Sequence, residues 1–296
     1  MSQLPAEAVN VIDKPGQRHG KGWLLLVPGM LWLLVFFLFP TVQLFFTSLY
    51  DPSGSFEQGY AMAWRFQNYV DAIKGTSDLF IRSFVYAGIT TLVCLILAYP
   101  LAYAIAFKSG RWKNVMLVLV IAPFFTSFLL RTLSWQAILA DQGAVTGFLR
   151  AIAVLPDDGR LLATPIAVVA GLIYNFLPFM TLPLYASLDK VDHRLIEAAG
   201  DLYSSPLTGF RKVTLPLSMP GVVAGTLLTF IPASGDYINA ELLGTPREYM
   251  LGNRIQAAFL VEQNYPLAAT LSVSLMLIVV VMVILYVRRS GTKELV

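Results

Sequence analysis

The sequence predicts an all-α membrane protein with six transmembrane helices and both termini in the cytoplasm. Three observations carry that expectation. The 296-residue chain is 56% apolar and only 13% charged, where a soluble domain carries roughly a quarter charged residues. Its charges lie between apolar runs of about 20 residues, the length that crosses a hydrocarbon core. Its Lys and Arg residues gather in alternate connections, as the positive-inside bias of membrane proteins requires. In lipid every backbone polar group must pair internally, so repeated apolar runs mean a helical bundle.

Six spans are expected, over 23–47, 80–107, 115–133, 162–186, 220–238 and 266–287. The first run is too long for a signal-peptide core and no Ala-x-Ala site follows it, so it reads as a retained span. The second is interrupted by Pro100. The third is followed by an amphipathic stretch to Leu139 and by one or two helices at the interface. The fourth holds Pro165, Pro178 and Pro183, and the fifth is broken by Pro232 and Gly235. A helical stretch is also expected in the loop 239–265. The domain reading is a tail over 1–20, a transmembrane domain over 21–287 and a short tail over 288–296.

Placing the N-terminus inside puts thirteen of the 21 Lys and Arg residues in cytoplasmic segments. The tight loop Lys108-Ser-Gly-Arg111-Trp-Lys113 is the clearest indicator. Eleven of the 18 carboxylates fall outside, so the outer face is net negative. The segment 188–220 is then cytoplasmic. It carries Lys190, Arg194, Arg211 and Lys212 and two helix-start signals. Asp192 can cap one helix by accepting from its first turn. Ser205 can cap a second, with Pro206 at the first position, where a missing N–H costs nothing. Two short helices between spans form a bracket on the membrane surface.

Little else offers chemistry. Cys94 is the single cysteine, so no disulfide forms within the chain. His19 and His193 belong to no set with metal-ligand spacing, and no nucleophile elbow occurs. The run Gly16-Gln-Arg-His-Gly20-Lys21-Gly22 is one residue short of a phosphate loop and has Gly22 where Ser or Thr should bind magnesium. No catalytic or metal-binding residue is expected, and any driving force must come from another chain. Net charge of +3 gives no reason to expect nucleic acid. The few polar residues in the spans are functional candidates by default. Arg131 reads as a side chain snorkelling to the outer interface. Asn175 either bonds a neighbouring helix, or the backbone freed by Pro178, or lines a path. Asp236 follows a Pro and a Gly that break its helix, and either faces a cavity or does not. Gly221 and Gly225 form a Gly-x-x-x-Gly pattern that allows close helix packing.

The bracket carries a resemblance. Glu197-Ala198-Ala199 and Val213-Thr214-Leu215-Pro216 stand at the spacing of the cytoplasmic Glu-Ala-Ala motif of binding-protein-dependent ABC importer permeases. Tyr203 stands where the motif has Gly, and Val213 replaces Ile; Gly200 and Ser204-Ser205-Pro206 are expected to supply the turn. The chain is most similar to the first permease subunit of spermidine/putrescine-type importers. The stretches IAPFFTSFLLRTLSWQAIL, YNFLPFMTLPLYASLDKVDHRLIEAAGDL and TLLTFIPASGDYINAELLG carry that likeness. It implies the type I importer fold in a bacterial inner membrane. It also implies a heterodimer with a second, homologous permease, two copies of a cytoplasmic ATPase that binds ATP and magnesium, and an extracytoplasmic substrate-binding protein. This chain would then be a transport subunit and no enzyme. The coupling residues would be Glu197, Ala198, Ala199, Gly200, Tyr203, Val213, Leu215 and Pro216. The face Leu195, Ile196, Ala199 and Leu202 would dock on the ATPase, the alternative being the bundle's own cytoplasmic end.

A polyamine needs carboxylates, carbonyls and aromatic faces along its path. Asp236, Glu241, Tyr237, Tyr174, Asn175 and Trp135 are the candidates. Other small organic solutes, such as opines or amino-acid-derived compounds, are the alternative cargo. A secondary transporter or channel would not need the Glu-Ala-Ala frame.

Overall fold

The structure, a computed structural model, describes residues 26–55 and 57–289. The expected tail over 1–20, the glycine-containing run 16–22 and the residues beyond 289 lie outside the described residues. The chain divides into two units between Phe46 and Thr47.

Helix α1, Val27–Thr47, makes up nearly all of the described first unit. Pro28 stands at its start, where the missing N–H is harmless. A π turn over Leu34–Leu38 precedes Pro40, which cannot donate to the helix ladder.

In the second unit α2 runs over Gln67–Lys108, 42 residues, or about 63 Å at 1.5 Å per residue. That is twice a hydrocarbon core of about 30 Å. The expected span over 80–107 lies within it, and the helix begins well before the span. Asp71, Lys74, Asp78 and Arg82 make the first turns polar, and a hydropathy reading cannot see a helix that continues into water. Thr76, at φ −135° and ψ 20°, bends this N-terminal part.

The expected continuous third span is two helices. Segment α3, Gly110–Phe125, and the region from Phe128 to Ala151 diverge by 94°. Within that region lie α4, Phe128–Leu139, and the interfacial α5, Ala144–Ala151. Pro123 sits in a 3-10 turn, and Thr126 and Ser127 are extended at ψ 150° and 139°. Apolarity runs on through the break, which is why composition hid it.

Helix α6, Pro165–Leu188, is capped by Thr164, whose hydroxyl accepts from Ala167 N at 3.2 Å. The bracket follows as α7, His193–Asp201, and α8, Pro206–Leu217. A 67° bend at Ser218 leads into α9, Met219–Ser234. Its 16 residues span only about 24 Å. Helix α10, Ile238–Leu243, and α11, Leu251–Gln256, build the connection from α9 to α12, and α12, Tyr265–Arg289, ends the described chain. Four helices, α1, α2, α6 and α12, are long and apolar enough to cross a membrane. The two bent segments bring the number to six if each is one span.

Helices α2, α6 and α9 form the centre, with α12 against α2. Without a hydrophobic gain between helices in lipid, close approach of small residues holds such a bundle. On α2 the buried stripe is Ser83, Ala87, Thr90, Thr91, Cys94, Ala98 and Ala102, spaced by three and four residues. On α9, a Cβ at Gly221 would stand 2.5 Å from Ser187 Cβ, and one at Gly225 would stand 2.8 Å from Met180 Sδ. The Gly-x-x-x-Gly pattern is thus a packing device against α6.

Coupling bracket and buried polar layer

Local hydrogen bonding builds the bracket as its sequence dictates. Asp192 Oδ1 accepts from Arg194 N at 3.0 Å and starts α7. Ser205 Oγ accepts from Thr208 N at 3.3 Å and starts α8, with Pro206 in its first turn. Each such cap is worth about 1 kcal/mol. The turn between them is made by Tyr203 itself, at φ 57°. Tyr203 N donates to Gly200 O at 2.9 Å, and Ser204 N donates to Ala199 O at 3.1 Å. This pair of bonds is a Schellman closure, whose C′ position is left-handed and favours glycine. The reason a glycine suits that position in the Glu-Ala-Ala frame is therefore visible, and so is the strain on Tyr203, roughly 1–2 kcal/mol. Gly200 is not left-handed; it lies within α7.

The bracket's tip is open. Leu202 is 81% and Tyr203 98% exposed, and Glu197, Ala198, Leu195 and Leu207 are exposed beside them. Ile196 and Ala199 are partly covered. Its root is fixed. Phe107 meets His193 edge-on at 4.8 Å. Lys113 Nζ donates to Asp189 Oδ1 at 2.5 Å and lies 5.3 Å from the Tyr185 ring centre. Tyr99 packs edge-on against Phe210 at 5.2 Å, and its hydroxyl pairs with Ser218 Oγ at 2.6 Å. Thr214 is buried and Val213 and Leu215 are half-buried, whereas Pro216 is exposed. A cavity of about 630 Å³ lies under the root, between Pro183, Ser187, Lys190, Leu195 and Gly221.

The other candidates separate into three groups. Asn175 and Asp236 join one buried network. Asn175 Nδ2 donates to Thr132 Oγ1 at 3.3 Å and to Asn239 Oδ1 at 3.1 Å. Asp236 Oδ1 accepts from the backbone N and the Nδ2 of Asn239, at 2.9 and 3.2 Å. Asp236 thereby caps the start of α10, and among the described residues no cation pairs with it. Asn175 bonds neighbouring segments, one of the two structural roles its sequence position allowed. Trp135 and Tyr174 form the second group, ring centres 5.3 Å apart, both half-buried. Tyr174 also borders an apolar cavity of about 300 Å³ with Met116, Pro123 and Pro178. Tyr237 and Glu241 are exposed at the surface.

The Arg131 side chain is largely covered. It is 9% exposed, with Phe124 and Phe128 at 5.4 and 5.6 Å from its guanidinium. Asn239 and Thr132 were missed by sequence reasoning. Asn239 reads as an ordinary loop residue, and its partner Asn175 is 64 positions away.

Residues 95–289 match the family described as "Binding-protein-dependent transport system inner membrane component". The chain belongs to this family. Every bracket and polar residue named above from position 95 onward falls within the match. The permease is 34% identical over 258 residues to the spermidine/putrescine transport system permease protein PotB of Haemophilus influenzae, covering 87% of this chain and 90% of that one. It is 35% identical over 261 residues to PotB of Escherichia coli K12, covering 88% and 94%. A more distant relative is the inner membrane ABC transporter permease protein YdcU of the same organism, 31% identical over 73% of this chain and 72% of that one. The permease shares its fold with a chain in the crystal structure of a bacterial ABC transporter involved in the import of alginate. The TM-score is 0.67 at 18% identity, covering 92% of this chain and 95% of that one. A second alginate transporter structure, in complex with an alginate pentasaccharide-bound periplasmic protein, matches with a TM-score of 0.65 at 19% identity, covering 91% and 93%. The permease is thus a multi-pass inner-membrane transporter subunit.

Proposed function

We propose that this permease forms half of the translocation path of an ATP-driven importer for polyamines of the spermidine/putrescine class. The observation that carries the reading is the 34–35% identity to spermidine/putrescine permeases, maintained over 87–88% of the chain. The other half of the path is a second, homologous permease. Two copies of a cytoplasmic ATPase bind ATP and magnesium, and an extracytoplasmic binding protein delivers the substrate. Six spans, each bent segment counting as one, put both termini and the bracket 188–219 in the cytoplasm, within a transmembrane domain over 21–287.

The exposed tip around Glu197, Ala198 and Tyr203 is the ATPase-docking surface, and α8 carries its displacement through Leu215-Pro216 into α9. An element tied at its root by Lys113–Asp189 and Tyr99–Ser218 moves as a body, so nucleotide closure in another chain reaches the spans. A path between two permeases is lined by residues exposed on each. Tyr237 and Glu241 therefore meet the cation, and Trp135 and Tyr174 offer ring faces. Asn175 and Asp236 hold the layer beneath them, and Asp236 Oδ2, which accepts no hydrogen bond among the described residues, remains available to an ammonium group.

The test is ATP-dependent uptake of labelled spermidine and putrescine into vesicles carrying the complete transporter with its binding protein. Uptake of either polyamine, abolished without ATP, is the expected result. Absence of polyamine uptake from a complex whose ATPase responds to a different loaded binding protein overturns the substrate class.

A further inference from the structure

Two buried charges in this permease have no ion-pair partner among the described residues, and a chain of side-chain amides lies between them. Arg131 on α4 is 9% exposed, and its Nε and Nη1 are buried without acceptors. Asp236, at the break after α9, is 8% exposed and is bonded through Oδ1 to Asn239. A lone charge removed from water is costly, and two aromatic faces offset only part of that cost for Arg131.

The carboxylate dictates how the amides point. Asp236 ionised can only accept, so Asn239 must turn Nδ2 toward it and leave Oδ1 facing Asn175. Asn175 must then present Nδ2 to Asn239. The Thr132 hydroxyl donates to Phe128 O at 3.1 Å, so it takes the second Asn175 hydrogen as an acceptor, at 3.3 Å. Asn175 Oδ1 is left buried with no donor. An orphan acceptor and two orphan donors thus occur in one layer. Thr132 adjoins Arg131 in the chain. Phe128, which flanks Arg131, lies 6.3 Å from Phe176, the residue after Asn175. Phe124, on its other side, lies 5.0 Å from Phe179 on the same helix.

We infer that Arg131 is the counter-charge of Asp236, linked to Asn175 Oδ1 through one bridging water. Asn175 and Asn239 then form a polarised relay, both amides aligned with the carbonyl toward the cation and the N–H toward the anion. Aligned bonds in a low dielectric strengthen one another. The relay ties the break in the third span to the break in the fifth. A cation arriving at Asp236 competes with Arg131 for the carboxylate and so loosens that tie. This last consequence rests on the import of cations; the relay itself does not.

The test is the thermal unfolding midpoint of the purified complete transporter carrying Arg131→Gln, Asp236→Asn or both, each in the wild-type and the Asn175→Leu background. Each single change is expected to lower the midpoint, and the double change to recover at least half of the summed loss. In the Asn175→Leu background that recovery is expected to vanish. Additive losses overturn the pairing, and recovery that persists without Asn175 overturns the relay. Should the single variants fail to yield a complex, return of the complex in the double variant supports the pairing and its continued absence refutes it.

Discussion

Lys113 and Asp189 join the first turns of α3 to the C-terminal end of α6, Nζ to Oδ1 at 2.5 Å. The two side chains are 33% and 39% exposed, so the ion pair contributes about 0.2–1 kcal/mol, as partly solvated pairs do. Lys113→Ala should therefore barely move the unfolding midpoint of the transporter. What it should change is coupling, because the bracket root loses a tether: more ATP is hydrolysed per polyamine imported. A large drop in stability, or an unchanged ATP-to-substrate ratio, would show that the pair does something else.

Gly221 and Gly225 set how closely α9 approaches α6. A Cβ on Gly221 would meet Ser187 Cβ at 2.5 Å and Pro183 O at 2.7 Å, neither of them able to swing away. On Gly225 its nearest neighbour is the flexible end of Met180, at 2.8 Å. Overpacking costs roughly 1–3 kcal/mol. Gly221→Ala should lie toward the upper end of that range and Gly225→Ala toward the lower, read from thermal unfolding in detergent. The reverse order would mean that the backbone at α6 gives way more easily than a methionine side chain.

Tyr203 holds a left-handed turn that a glycine would hold without strain. Tyr203→Gly should leave the bracket at least as well folded, by protease protection of the 188–219 segment. Tyr203→Val, β-branched, should lose roughly 1–2 kcal/mol of local stability. If the two variants lose ATPase binding equally while both remain protected, the exposed ring is itself a docking contact.

Glu197 lies exposed on α7 and bonds to nothing in the bracket that the described structure shows. Glu197→Arg should leave membrane insertion and the permease fold intact while abolishing co-purification of the ATPase and polyamine uptake. Normal uptake by this variant would remove the docking surface from Glu197.

Glu241 and Asp236 carry neighbouring carboxylates with different burial, and they should fail differently. Glu241→Gln removes a charge from the surface and should raise the polyamine concentration for half-maximal uptake, leaving complex yield unchanged. Asp236→Asn keeps the size but alters the cap on α10, and should reduce both yield and maximal rate. Identical behaviour of the two variants would contradict the division between surface and supporting residues.

Features written in adjacent residues were legible in the sequence. The caps at Asp192 and Ser205, the proline after the second, and the Gly221/Gly225 spacing all act within one turn of the chain, and all stand where expected. Features that depend on backbone direction or on distant partners were not. Hydropathy continues unbroken across Thr126 and Ser127, although the chain turns there by 94°. The extension of α2 ahead of its span was hidden because its first turns are charged. The aromatic cover that Phe124 and Phe128 give Arg131 depends on the break before α4 and could not be read from the sequence. The Asn175–Asn239 bond is a tertiary event, and neither asparagine announces the other.

The bare tip formed by Leu202 and Tyr203 has a further consequence for how cells keep count of this subunit. If an ATPase docks on it from the cytoplasm, as proposed, a newly inserted chain without that partner displays uncovered apolar surface, the feature that exposes incompletely assembled proteins to chaperones and proteases. Chains made in excess of their partner should then be short-lived. The ratio of subunits in the membrane would be set by which copies survive, with no need for matched rates of synthesis.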